Sequence, residues 1–137
     1  MFTWPVRVYY EDTDAGGVVY YTNYLKFMER ARTEWLRALG FEQPELLREH
    51  GIIFVVRAVQ IDYLRPASFN DLLAVSVRFH AAGRSWIELD QAATRPGEDG
   101  SDAVLVKARV KIVCVNGQTF KPVQIPAPVR EKVERIS

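Results

Sequence analysis

A chain of 137 residues, 48% of them hydrophobic, fits one domain over residues 1–137 with enough apolar material for a real core. Its 18 basic and 17 acidic residues leave a net charge of +1, which excludes a general electrostatic attraction to nucleic acid or to an anionic membrane surface. No apolar run reaches the roughly 18 residues that span a bilayer, and Met1–Pro5 lacks a basic region followed by an apolar one, so the expected location is the cytoplasm.

The first expected element is a strand in which Val6, Val8 and Tyr10 share one face and Arg7 and Tyr9 the other. It leads into Glu11-Asp12-Thr13-Asp14-Ala15-Gly16-Gly17, a run of acids closed by a glycine pair. Glycines let the backbone take conformations closed to other residues and come close to a ligand. A long helix follows over about Asn23 to Leu39, with Asn23 as N-cap, an apolar stripe of Tyr24, Phe27, Met28, Ala31, Trp35 and Leu39 widened by Leu25 and Leu36, and Gly40 as its stop. Apolar over more than half its circumference, this helix needs to be wrapped.

Pro44 to Glu49 reads as a short second helix, and four strands are expected at Ile52 to Leu64, Leu73 to Phe79, Trp86 to Ala93 and Ala103 to Val115. Gly83 marks one hairpin, Pro96-Gly97-Glu98-Asp99-Gly100 the next, and Val129 to Ile136 a terminal helix. One strand, one long helix and a four-strand meander predict an α+β fold whose antiparallel sheet covers the helix with one face. Cys114 shares the parity of Val110 and Ile112, which makes it a buried structural thiol. With His50 and His80 in separate segments and no second cysteine, no metal site of the usual ligand types is expected.

The run from Val6 through Tyr9-Tyr10-Glu11-Asp12-Thr13-Asp14-Ala15-Gly16-Gly17-Val18-Val19-Tyr20, together with Asn23-Tyr24-Leu25 and Phe27 to Leu36, resembles the hot-dog-fold acyl-CoA thioesterases. The likeness is to the 4-hydroxybenzoyl-CoA thioesterase subfamily and, within it, to the bacterial Tol-Pal-associated acyl-CoA thioesterases. It continues in Phe54-Val55-Val56-Arg57, Ile61 to Ala67, Lys121-Pro122 and Ile125-Pro126. It implies a five-stranded antiparallel sheet wrapped around a long central helix. It also implies two such sheets paired edge to edge in a homodimer, which can pair again as a homotetramer, and a pocket between subunits. By the same resemblance Asp14 is the catalytic carboxylate, the Tyr21 backbone N–H polarises the thioester carbonyl, and Gly16, Gly17, Val18 and Asn23 surround the substrate. Arg84 and Ser85, with Lys121, then meet the phosphates of coenzyme A, which arrives as part of the substrate; no separate cofactor is implied. Tyr21 is a departure, since the Tol-Pal-associated group commonly has histidine there; a backbone role survives the change.

The chemistry is consistent with so small a set of groups. Thioester hydrolysis needs a nucleophile or a base and a place for the oxyanion, and it hardly needs an acid, because a thiol of pKa about 8.5 leaves unaided near neutral pH. The chain has no Gly-x-Ser-x-Gly elbow and no histidine beside a serine or cysteine by motif. Asp14 can equally be read as tying the glycine turn, as aspartates do. Glu11 and Asp12 read as solvated loop acids. Glu29 and Glu34 lie on the helix, where the resemblance to another branch of hot-dog thioesterases implies a catalytic glutamate, but Glu29 shares a face with Lys26, Arg30 and Thr33 and reads as a solvated or interface ion-pair former. Arg57, Arg65 and Arg109 are further candidates for the phosphates. Two other functions stay in view: a hydratase or dehydratase of acyl thioesters, which would want a histidine beside an acid, and a non-catalytic module binding an acyl carrier protein or a Tol-Pal partner.

Overall fold

A computed structural model describes residues 1–136; Ser137, the last residue of the expected domain, lies outside the described residues. The elements run β1 (Phe2–Arg7), a 3-10 turn (Tyr10–Asp12), α1 (Asn23–Ala38), α2 (Gln43–His50), β2 (Ile52–Tyr63), β3 (Leu72–Ala82), β4 (Trp86–Arg95), β5 (Ala103–Asn116) and α3 (Ala127–Ile136). The strands form one five-stranded sheet in the order β1-β3-β4-β5-β2, antiparallel throughout. The expected four-strand meander is therefore only partly present. β3, β4 and β5 follow one another, but β2 pairs with β5 and becomes an edge, because the stretch after Tyr63 crosses the helix entrance before entering β3.

β1 is the other edge, which is where Pro5 can sit without removing a ladder donor. The strand stops at Arg7, three residues short of its expected end. The Asp12 carboxylate accepts the Tyr9 N–H at 2.8 Å and folds Tyr10–Asp12 into the 3-10 turn, leaving the Tyr10 ring exposed and stacked on Phe69 at 3.7 Å. Asp12 is thus a buried structural group and not the solvated acid its sequence context suggests.

The sheet's helix-facing side carries Leu73, Val75, Ile87, Leu89 and Val110, against which α1 buries Tyr24, Phe27, Met28, Ala31, Trp35 and Leu36. Leu25 points away and is exposed. At the helix end the Phe41 N–H donates to Leu36 O and the Gly40 N–H to Arg37 O, and Gly40 has φ +98°, a left-handed stop that favours glycine. One polar group crosses the core. Gln91, nearly fully buried on β4, donates to Met28 O at 3.1 Å and accepts from Arg32 at 2.9 Å, pinning α1 to the sheet. No helix among the described residues is long and apolar enough to cross a membrane.

Candidate active site

The loop after the 3-10 turn is built from its own backbone. Asp14 N–H donates to Val18 O, Gly17 N–H to Asp14 O, and Gly16 N–H to Asp14 Oδ1 at 2.8 Å. This is the turn-binding role that a sequence reading leaves open for Asp14, and it engages one carboxylate oxygen only. Gly17 has φ +79°, which a side chain would disfavour, and a Cβ on Gly16 would press to 3.3 Å on Asp14 Oδ1. The glycine pair therefore serves to present Asp14, whose side chain is exposed. Its N–H groups are occupied within the turn.

The loop is fixed to the rest of the fold at three places. Val19 N–H donates to Ala67 O, Val18 bridges to Ser68, and the buried Tyr24 hydroxyl accepts the Ala67 N–H at 2.9 Å. Asn23 is the first residue of α1 rather than its cap; Thr22 holds the cap position, and the Asn23 side chain instead donates to Asp12 O at 2.8 Å. It thus secures the carboxylate loop to the helix entrance. The N–H groups of Tyr21 and Thr22 have no acceptor among the described residues, so the positive end of α1 opens beside Asp14 with donors available.

Beside that entrance is a cavity of about 240 Å³ lined by Val19, Tyr21, Tyr24, Tyr63, Leu64 and Arg65 with Pro66. Tyr21 meets Tyr63 edge-on at 5.9 Å, and Tyr24 lies 5.9 Å from Tyr63. Burial raises the phenol pKa of Tyr24 and of Tyr63, so both phenols remain neutral at neutral pH. Tyr63 is a site residue that residue type alone does not single out. The signal that could have found it is its place at the end of a strand reaching the helix entrance. Arg65, a candidate for the phosphates by its charge, stands at this cavity instead.

Arg84, Ser85 and Lys121 lie elsewhere. Arg84 and Ser85 form the tip of the β3–β4 hairpin, where Arg84 O accepts the Ile125 N–H and Ser85 O the Cys114 N–H. Lys121 O accepts the Asn116 N–H, at the same end of the sheet. Asp14 follows the opposite end, so one chain holds the two groups apart by the length of β4, roughly 30 Å. Among the other candidates, Arg109 is engaged with Asp90 at 2.9 Å on the outer sheet face, and its hydrogen bonds hold the Asp90 carboxyl below the ordinary range. Glu34 pairs with Arg37, whereas Glu29 is exposed and lies in no ion pair among the described residues. Burial pushes the Cys114 thiol up to about 11. Among the described residues no cluster of three or more His, Cys, Asp or Glu could hold a metal ion.

Comparison with known proteins identifies the family of the chain. A profile described as "Thioesterase-like superfamily" matches residues 8–133. The acyl-CoA thioesterase YbgC of Haemophilus influenzae is 46% identical over 129 residues, covering 94% of this chain and 91% of that protein. The crystal structure of a probable thioesterase from Bartonella henselae superposes with a TM-score of 0.83 at 36% identity, covering 90% of this chain and 98% of its own. A 4-hydroxybenzoyl-CoA thioesterase mutant complexed with 4-hydroxybenzoyl-CoA shares the fold at a TM-score of 0.90 and 19% identity, over 96% of this chain and 97% of its own. The sheet wrapped on α1 is therefore the hot-dog fold, and the chain belongs to the thioesterase-like superfamily and, within it, to the YbgC group of acyl-CoA thioesterases.

Proposed function

We propose that this protein hydrolyses acyl-CoA thioesters to a carboxylic acid and free coenzyme A, with Asp14 as its catalytic carboxylate. One observation carries the assignment of roles: an exposed carboxylate, half tied by its glycine turn, stands beside open N–H groups at the entrance of α1. The thioester carbonyl oxygen accepts from the Tyr21 N–H, which stabilises the charge that develops as the carbon becomes tetrahedral. The free Asp14 oxygen either attacks that carbon or takes the proton of an attacking water; both roles need the ionised form. The C–S bond then breaks and the thiolate leaves with the electron pair; on the direct route the acyl-aspartyl anhydride so formed is hydrolysed by water, which releases the acid and regenerates Asp14. The reaction needs no cofactor beyond the coenzyme A that the substrate carries.

The substrate reaches both ends of the sheet only in a homodimer. Two copies joined antiparallel through the free edge of β2 place the Tyr63 end of one beside the Ile52 end of the other, which brings Asp14 of one copy toward Arg84, Ser85 and Lys121 of its partner. Gly16, Gly17, Val18 and Asn23 shape the thioester site, and the basic residues take the phosphates. Cytoplasmic operation on coenzyme A or on an acyl carrier protein, and a further pairing to a homotetramer, belong to the same reading. The test is thiol release from short aliphatic, long aliphatic and aromatic acyl-CoAs. Turnover on at least one series with a preference among them is expected; no release from any would sink the assignment.

A further inference from the structure

A second hollow, about 300 Å³, runs along the seam between α1 and β2, bounded by Glu29, Arg32, Thr33 and Trp35 on the helix and by Phe54 and Val56 on the strand. Glu29, Thr33 and Gln43 give it polar lining, and two further groups, Trp35 and Arg32, are unusual. Trp35 is 1% exposed, and its indole N–H is buried without an acceptor, a group that normally finds one. Arg32 is half-buried and bonds to the Gln91 side chain, but no carboxylate lies within ion-pair distance of it among the described residues. Burial lowers its pKa, which Glu29 one turn earlier partly offsets without pairing. A guanidinium taken from water and left with one neutral partner retains donors for an anion.

The hollow also lies where an acyl group would go. It occupies the Phe54 end of the α1–β2 seam, and the aromatic cavity at the α1 entrance occupies the Tyr63 end. Antiparallel pairing through β2 sets the Tyr63 end of one copy against the Phe54 end of its partner. We infer that this hollow receives the acyl part of the substrate across the dimer interface, and that Arg32 with the Trp35 N–H selects acyl groups whose far end carries a carboxylate. The walls of Phe54, Val56 and Leu36 take the methylene chain, and the two donors take the terminal oxygens. This inference rests on the thioesterase reading and names its substrate class, an ω-carboxyacyl thioester.

The experiment compares thiol release from adipoyl-CoA and from its monomethyl ester, two substrates of one chain length that differ in terminal charge. Wild-type enzyme is expected to favour the free acid in kcat/KM by at least about tenfold, the usual worth of a charge-assisted pair. Arg32→Gln should remove most of that ratio, Arg32→Lys should keep part of it, and Trp35→Phe should lower it less. A wild-type preference for the ester, or a ratio that Arg32→Gln leaves unchanged, overturns the inference while the thioesterase reading stands. Release from neither substrate leaves the thioesterase reading to the wider acyl-CoA series that tests it. The acid-to-ester ratio of Kd from calorimetric titration of the same two thioesters then decides the Arg32 inference by the same criterion.

Discussion

The sharpest question about any single side chain is whether Asp14 does more than bind its glycine turn. Asp14→Asn keeps the size of the side chain and the carbonyl oxygen that accepts the Gly16 N–H, and removes the charge. Turnover is expected to fall at least about a hundredfold with fold and oligomer preserved, the scale set by positioned acid–base groups. Thiol release by the folded mutant at most of the wild-type rate would transfer the role to another carboxylate, with Glu29 next. Cys114 gives a second test. A thiol pushed by burial up to about 11 should resist alkylation in native protein and react after denaturation. Because its folded pKa is raised, it costs no stability below the ordinary thiol range, and stability should fall as pH rises from about 9 toward 11, readable in denaturant midpoints. The turn that Asp14 ties is legible in sequence because its glycine pair follows directly, whereas the catalytic role assigned to it comes from the family resemblance. Asp12, four residues after Val8 and equally acidic, misleads because its partner is the Tyr9 N–H, a contact that exists only once the 3-10 turn has formed.

Elements are legible where periodicity is long. The range of α1 and the ranges of β2 to β5 come within a few residues, since a helix apolar on one side and strands alternating over ten or more residues leave little choice. Pairing is not legible in the same way, because β2 on β3 and β2 on β5 bury similar faces and only the crossing after Tyr63 decides between them. The hairpin between β3 and β4 shows what one element contributes to the site. A Cβ on Gly83 would overlap the Trp86 indole nitrogen, and the Gly83 carbonyl accepts from Arg130 of α3 at 2.5 Å. Gly83→Ala must therefore displace the Trp86 ring from its place beneath Lys111. The variant should lower the denaturation midpoint and raise KM for acyl-CoA together, as the Arg84 tip shifts. Arg84→Ala, by contrast, should raise KM for acyl-CoA with kcat near normal and stability unchanged, since a phosphate contact is equal in ground and transition states. Pantetheine thioesters, which lack the nucleotide, should not register that change.

For the assembled protein, the decisive feature is the free edge of β2. It is twelve residues long, with Val56 48% exposed and Tyr63 44% exposed, and a long uncovered edge with apolar side chains invites pairing. The homodimer proposed above predicts that the site does not exist without the oligomer, and mixed dimers can test it. A dimer of one Asp14→Asn chain and one Arg84→Ala chain contains one site in which both residues are altered and one in which both are intact, provided that the site draws Asp14 from one copy and Arg84 from the other. Equal mixing after denaturation and refolding should yield about half heterodimers, hence about a quarter of wild-type sites, and these should show the wild-type KM. If each chain instead supplied its own phosphate contact, every intact Asp14 in the mixture would belong to a chain carrying the Arg84→Ala substitution, and the KM would stay at the raised value of that parent. Light scattering on Val56→Lys/Val59→Lys, which sets like charges along the edge, supplies the complementary reading. A folded monomer without thioesterase activity is expected, and a monomer with full activity would show that one chain suffices for the site.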